Sequence, residues 1–345
     1  MEPVNFPSNA KYRAYINKVT DNLKSTLKAG LEFIQWDKYI NQNSAVFVKP
    51  NFTFPYYKEG VTTNPQLLKC LLELLTSRAG RVIVGESDGG NHSFRAEEAF
   101  EGHNMYKICE ETGVELVNLS KLPSRFVEDK IQGKRIKVQL PKLLLEEVDC
   151  FISLPVLKIH VMTTVSLSLK NLWGCIPDPL RCLQHQNLSY KLALIAKLLD
   201  PKIVVIDGIY ALNKHGPMYG EAVKLNLILV ADNPVAADAL GARVAGFSPH
   251  AIESIAIAEK AGLGSLSPED IEINQDWQRY RQQFRVEKTA IDRVSTLLFH
   301  NNTLAKLVMD SPLTPVIYKV AGVLRTKEER EITSQIGKRK TLGPY

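Results

Sequence analysis

An α/β fold, with mainly parallel strands, helices on both faces of the sheet and two lobes, is predicted by three observations. Apolar runs of strand length, such as residues 81–86 (RVIVGE) and 202–206 (KIVVI), alternate with segments of helical periodicity. The runs are continuously apolar, as in strands buried on both faces. The connections between them are long enough for the right-handed crossovers that parallel strands require.

In order along the chain, residues 1–44 are expected to form a helical lead-in, because Tyr12, Tyr15, Ile16, Val19, Leu23 and Leu27 fall at helical spacing. Residues 45–48 make a short strand ended by Lys49-Pro50-Asn51. Asn64-Pro65 reads as an N-cap followed by proline at the first helical position, and Leu67, Leu68, Leu71, Leu72 and Leu75 give that helix its apolar face. The strand at 81–86 ends in the glycine-bearing loop 87–92. A helix over 99–112, a strand at 114–118 and an edge strand at 136–138 complete a first lobe, residues 45–150. The second lobe, residues 151–275, opens with a strand at 150–154 and holds strands at 202–206, which ends in Asp207-Gly208, and 225–230. Helices are expected over 235–245 and 248–261. Residues 276–345 form a tail: Trp277, Tyr280, Phe284, Ile291, Val294 and Leu298 recur at three- and four-residue steps between Arg279, Arg281, Arg285 and Lys288, the pattern of a basic amphipathic helix.

Length and composition bound the function. A chain of 345 residues, 45% apolar, can bury a large core. Residues 276–345 hold 13 Lys/Arg against 7 Asp/Glu, a surplus equal to the whole chain's net charge of +6. The basic character therefore belongs to the tail and not to the predicted site, which argues against a nucleic-acid partner. No secretory signal is expected from the N-terminal sequence, and no apolar run reaches the roughly 18 residues of a membrane span. Five cysteines, an odd number with no CxxC pair, suit a reducing cytoplasm and give no intrinsic iron-sulfur cluster. The tail adds a second expectation of location, the periphery of an anionic membrane or a protein partner; its other reading is a solvated helical extension packing on the core.

Residues 149–187 concentrate the reactive side chains. An apolar strand opens into a segment holding Lys158, His160, Lys170, Asn171 and His185, broken by glycine and proline. Lys170, within VSLSLKNLWG, has neighbours that disfavour its charged form, so it can serve as a base or Schiff-base former; the alternative is a lysine snorkelling from a helix surface. Two histidines and a lysine brought together by a loop could hold a divalent transition metal, an anionic cofactor or a substrate carboxylate. The spacing lacks the short His-x-x-x-His of zinc sites. Strand ends in such folds face the ligand, which adds Lys49, Asn51, the loop through His92, and Asp207. That loop has neither GxGxxG nor GxxxxGK[ST], so no dinucleotide or nucleoside triphosphate is indicated.

Motifs in consistent order through residues 45–275 carry a resemblance. KPN at 49–51, TTNP at 62–65, VGES at 84–87, LPVLKIH at 154–160, LSLKNLWGCIP at 167–177, VVIDGI at 204–209 and ADNPVAADALGARVAG at 231–246 together resemble the "domain of unknown function 362" family. A more distant similarity is to racemases that use a nickel-pincer nucleotide. Those enzymes carry a histidine, a cofactor-bearing lysine ten residues on and a metal-binding histidine some sixteen further, and His160, Lys170 and His185 are similarly spaced. That likeness implies proton or hydride movement beside a carboxyl or carbonyl group.

The resulting expectation is a metal- or cofactor-assisted enzyme acting on a small anionic organic substrate. Lys170, His160 and Asp207 are the expected catalytic groups, His160 and His185 the expected metal ligands, and Lys49, Asn51, Lys158, Asn171 and His92 the substrate-binding groups. The alternatives are a non-catalytic metal- or cofactor-binding accessory protein docking through its basic tail, and an electron-transfer partner of a separate iron-sulfur protein.

Overall fold

The computed structural model describes residues 11–20, 22–290, 292, 293, 296 and 308. In chain order its main elements are β1 (Tyr12–Lys18), α1 (Leu23–Phe33), β2 (Ala45–Lys49), α2 (Pro65–Thr76), β3 (Arg81–Glu86), α3 (Ala96–Gly102), α4 (Met105–Thr112) and β4 (Glu115–Asn118). There follow β5 (Ser124–Ile131), β6 (Lys134–Pro141), α5 (Lys142–Glu146), β7 (Cys150–Ser153), β8 (Val156–His160), β9 (Thr164–Ser166), α6 (Ser168–Asn171) and α7 (Leu188–Leu199). The remaining elements are β10 (Ile203–Asn213), β11 (Glu221–Ala231), α8 (Pro234–Ala245), α9 (Glu253–Lys260) and β12 (Ile271–Ile273).

The mixed α/β class holds. Among the described residues one sheet has ten strands, ordered β12-β1-β11-β10-β7-β2-β3-β4, with β8 pairing β10 and β9. β2, β3, β4, β7 and β10 run parallel, and β11 lies antiparallel to both β10 and β1. Side-chain alternation divides the core into two layers. Phe47, Ile83, Phe151, Val204 and Leu229 enter one layer with α6, α7, α8 and α9. Val46, Val48, Val82, Ile152 and Val205 enter the other with α1, α2 and α4. The 150/151 boundary between the expected lobes falls at the start of β7, a central strand with β2 on one side and β10 on the other.

Four expectations are corrected. Residues 12–18 of the lead-in form the strand β1, not a helix. It lies inside the sheet, so Ala14, Tyr15 and Ile16 are buried in succession, and an apolar run buried on both sides also fits a helical wheel. The helix over 99–112 is two helices, because Asn104 takes a left-handed φ of 57° between them. A Cβ on Gly102, at the break, would lie 2.0 Å from the Pro55 carbonyl oxygen, so only glycine fits there. The strand around 136–138 is not an edge of the main sheet. It belongs to β6, which pairs with β5 in a separate hairpin, and its Ile136 and Val138 face the core beside α7.

The fourth correction concerns the tail. After a single 3₁₀ turn, Trp277–Tyr280, residues 281–288 form no helix. The amides of Gln282 and Phe284 donate to the Val244 and Ala245 carbonyls, two of the acceptors that the end of α8 leaves over. Tyr280 and Phe284 are buried and Val286 bridges to Lys214. This part of the tail packs on the core instead of forming a basic amphipathic helix. The apolar stretch 313–324 and the basic cluster Lys338-Arg339-Lys340 lie outside the described residues. No helix among the described residues is long and apolar enough to cross a membrane.

Candidate active site

The parallel strands set the place. From β2 the chain adds β3 and β4 on one side, then returns to β7 on the other. This reversal opens a crevice at the carboxyl ends of β2 and β7, where ligands bind in such folds. Lys49 ends β2, Glu86 ends β3 and Ser153 ends β7. Beyond Ser153, β8 alternates with period two: Leu157 and Ile159 enter the core, while Lys158 and His160 line a cavity of about 640 Å³. On α6 and the 3₁₀ turn Leu172–Cys175 that follows it, Leu169 and Leu172 bury and Lys170, Asn171 and Trp173 reach the same cavity.

A hydrogen-bonded relay ties these strand ends together. Lys158 Nζ donates to the Val61 carbonyl at 2.7 Å and to Asn51 Oδ1 at 3.0 Å. Asn51 Nδ2 donates to Asn171 Oδ1 at 3.1 Å, and Asn171 Nδ2 donates to the Lys49 carbonyl at 3.0 Å. Lys49 Nζ meets Glu86 Oε2 at 2.6 Å, and both side chains are almost wholly buried. The amides of Phe52 and Ser87 also donate to Glu86. A Cβ on Gly174 would lie 2.8 Å from Glu86 Oε1 and 2.9 Å from Lys49 Nζ, so glycine is what lets the chain close over the pair. Arg181, 9% exposed, is fixed by bonds from its guanidinium to the Asp88 and Asp178 carbonyls.

Lys170 differs from the other three cations. It is half-buried at the cavity wall, and among the described residues no hydrogen bond or ion pair engages its ammonium group. Burial, then the nearby Arg181, brings its pKa down to about 8. Burial and the charge of Lys170 hold Lys158 well below the usual lysine value, and the same two causes hold His160 well below that of imidazole. His185 falls to about 3, again through burial and then Lys170.

Both histidines are therefore neutral, with opposite tautomers. The Met162 amide donates to His160 Nδ1 at 3.1 Å, which places the proton on Nε2. His185 Nδ1 lies 2.6 Å from the Cys182 carbonyl and donates to it, leaving the lone pair on Nε2; its ring stacks on Trp173 at 5.5 Å. This arrangement bears on the expected metal ligands. His160 presents a donor to the cavity, and turning it into a ligand would set Nδ1–H against the Met162 amide. Among the described residues no three His, Cys, Asp or Glu side chains come together as a group able to hold a metal ion. A nickel-pincer nucleotide does not fit either: the VSLSL preceding Lys170 is buried over Val165–Leu169 and has no glycine for a phosphate to approach.

The structure thus gathers Lys49, Asn51, Lys158, His160, Lys170, Asn171 and His185 around one cavity, and leaves Asp207 and His92 off its wall. Asp207 faces the backbone: its carboxylate accepts the Asn64 amide at 2.7 Å and the Ile209 amide at 3.0 Å, joining β10 to the cap of α2. Burial raises its pKa to about 6. His92 ends the 3₁₀ turn Gly90–His92, and of its neighbours Asn91 and Ser93 reach the cavity instead. Sequence reading placed Glu86 at a ligand-facing strand end without giving it a role, and missed Arg181 and Asp238 as functional groups. Asp238, inside α8, accepts the Ser168 and Leu169 amides at 2.7 and 2.9 Å and so fixes the first turn of α6, which carries Lys170. A buried acid in an alanine-rich helix was the one available signal.

The profile of the family described as "Domain of unknown function (DUF362)" matches residues 46–243, more than half of the chain. The chain belongs to this family. A "thylakoid-associated protein" of Synechocystis sp. is 22% identical over 239 residues, covering 67% of this chain and 72% of that protein. No solved structure matches.

Proposed function

We propose that the protein is an enzyme that moves a proton at a carbon beside the carboxyl or carbonyl group of an anionic organic substrate, with Lys170 as the base. The observation that carries this reading is a lysine with its pKa brought to about 8, without a protein partner among the described residues, in a cavity it shares with Lys49, Lys158 and Arg181. At pH 7.5 such an amine is about one-quarter neutral, against roughly one part in a thousand for an ordinary lysine. Neutral Lys170 takes the proton from the α-carbon, and the electron pair left behind moves onto the adjacent oxygen as an enolate. The His160 Nε2–H is the donor that stabilises this oxygen. Return of a proton to carbon completes an isomerisation or exchange.

Proton NMR in D2O with 2-hydroxy and 2-oxo acids tests the reaction. Deuterium should enter the carbon beside the carboxyl or carbonyl group with wild-type protein, and Lys170→Met should slow entry by about 100-fold or more. Its thermal midpoint should barely move, because the side chain has no partner to lose. A Lys170→Met protein that exchanges at the wild-type rate would sink the proposal.

The relative's thylakoid association and the basic surplus of residues 276–345 support a second reading, peripheral attachment to an anionic membrane face. Full-length protein should sediment with phosphatidylglycerol vesicles in low salt, and a chain ending at Thr296 should not. Equal sedimentation of the two removes the tail as the anchor.

A further inference from the structure

The cavity is much larger than the small acid that its chemistry alone requires. A three-carbon hydroxy acid has about six non-hydrogen atoms, each smaller than the roughly 30 Å³ share of a water molecule, and fills less than a third of about 640 Å³. Much of the wall is polar, with Asn51, Thr53, Ser87, Ser93 and Asp292 beside the cations, but apolar faces share it. Phe52 and Trp173 line it as held aromatic faces, Phe52 stacked on His103 at 4.1 Å and Trp173 on His185. Phe94 adds a third ring, and Met162 and Met218, both only half-buried, add flexible apolar side chains toward the solvent side. Methionine suits a wall that accommodates hydrocarbon of variable shape. Three of the polar groups sit together on one hairpin. Lys158, His160 and Ser166 come from the paired strands β8 and β9, where Lys158 and Ser166 stand opposite each other, and Lys170 follows on α6.

From the volume and these apolar faces we infer that the substrate is an amphipathic acid. Its carboxylate head lies among Lys158, His160 and Lys170, and its aromatic or hydrocarbon body of several carbons lies against Phe52, Phe94, Trp173 and the two methionines. The inference rests on the proposed reaction for the position of the head. The body is argued from the volume and the apolar wall.

A binding series separates the two. Calorimetry with straight-chain 2-hydroxy acids of about three to ten carbons, and with the matching 1,2-diols lacking the carboxylate, reads each part of the ligand independently. Over the middle of the acid series the dissociation constant should fall about three- to fourfold per added methylene, the factor for burying one CH2 group. The diols should bind at least about tenfold more weakly than the acids of equal length, and Met218→Asp should flatten the length dependence. An affinity independent of chain length, or no binding of any acid, overturns the inference. Diols binding as tightly as acids overturn it as well, since the head would then have no role. A clear length dependence together with no deuterium exchange would uphold the ligand class while removing the reaction.

Discussion

Lys49 and Glu86 show how much of this site is fixed before any ligand arrives. Their charges meet at 2.6 Å with almost no solvent contact, and Lys49 Nζ gives a second bond to the Pro50 carbonyl. A buried pair of this kind contributes little relative to an apolar replacement of both partners, whereas removing one partner leaves a charge stranded. Lys49→Met should therefore lower unfolding stability by about 3–5 kcal/mol, measured by urea denaturation at pH 7. The double variant Lys49→Met/Glu86→Gln, in which no charge is stranded, should recover part of that loss. A single variant within about 1 kcal/mol of wild type would show that water reaches Glu86 and that the pair is not the clamp joining β2 to β3. Lys158 is equally buried but bonds only to neutral oxygens, so its depressed pKa and the Lys49–Glu86 ion pair are two ways of accommodating ammonium groups below the surface.

Among the elements, those whose boundaries are written in local chemistry were legible in the sequence. Asn64 caps α2 by accepting the Gln66 and Leu67 amides, as Asn-Pro before a leucine-rich run predicts. β2, β3 and β7 were read from apolar runs too short for helices. β1 was misread because burial on both faces erases the alternation that separates a strand from a helix. β10 was cut short at Asp207-Gly208, yet it continues to Asn213 through an irregularity between Gly208 and Tyr210. The site divides the same way. Lys158 and His160 were picked out as reactive groups following an apolar strand, and Lys170 from its apolar setting; the strand β8 that carries the first two was not read. Arg181 and Asp238 act through backbone carbonyls and amides on other elements, and sequence spacing carries no trace of such partners. Asp207 was overread for the same reason: the position at a strand end was right, and the direction of its carboxylate depends on where the start of α2 packs.

Across the whole molecule, buried ionisable groups predict how stability changes with acid. His103, 1% exposed and stacked on Phe52, is brought by burial to a pKa of about 4, and burial brings His185 to about 3. Unfolded imidazoles take up a proton near pH 6.5, so between that value and the folded pKa the unfolded chain holds more protons, and stability falls as pH falls. Asp207 and Asp238, raised by burial to about 6 and about 7, act with the opposite sign: from about pH 4 up to those values the folded state holds their protons, so their contribution grows as pH falls. His103 isolates the first effect because it lies behind the cavity wall and not on it. Its share of the loss between pH 7 and pH 5 should be about 2 kcal/mol, the difference between an imidazole titrating near 6.5 and one near 4. Urea midpoints of wild type and His103→Phe at the two pH values measure it, the variant keeping a ring against Phe52 while losing the titration. The wild-type loss should exceed the variant's by that amount. Parallel losses in the two proteins would mean that His103 is protonated in the fold, and that the packing of α3 against the Phe52 loop is more open to water than its burial implies.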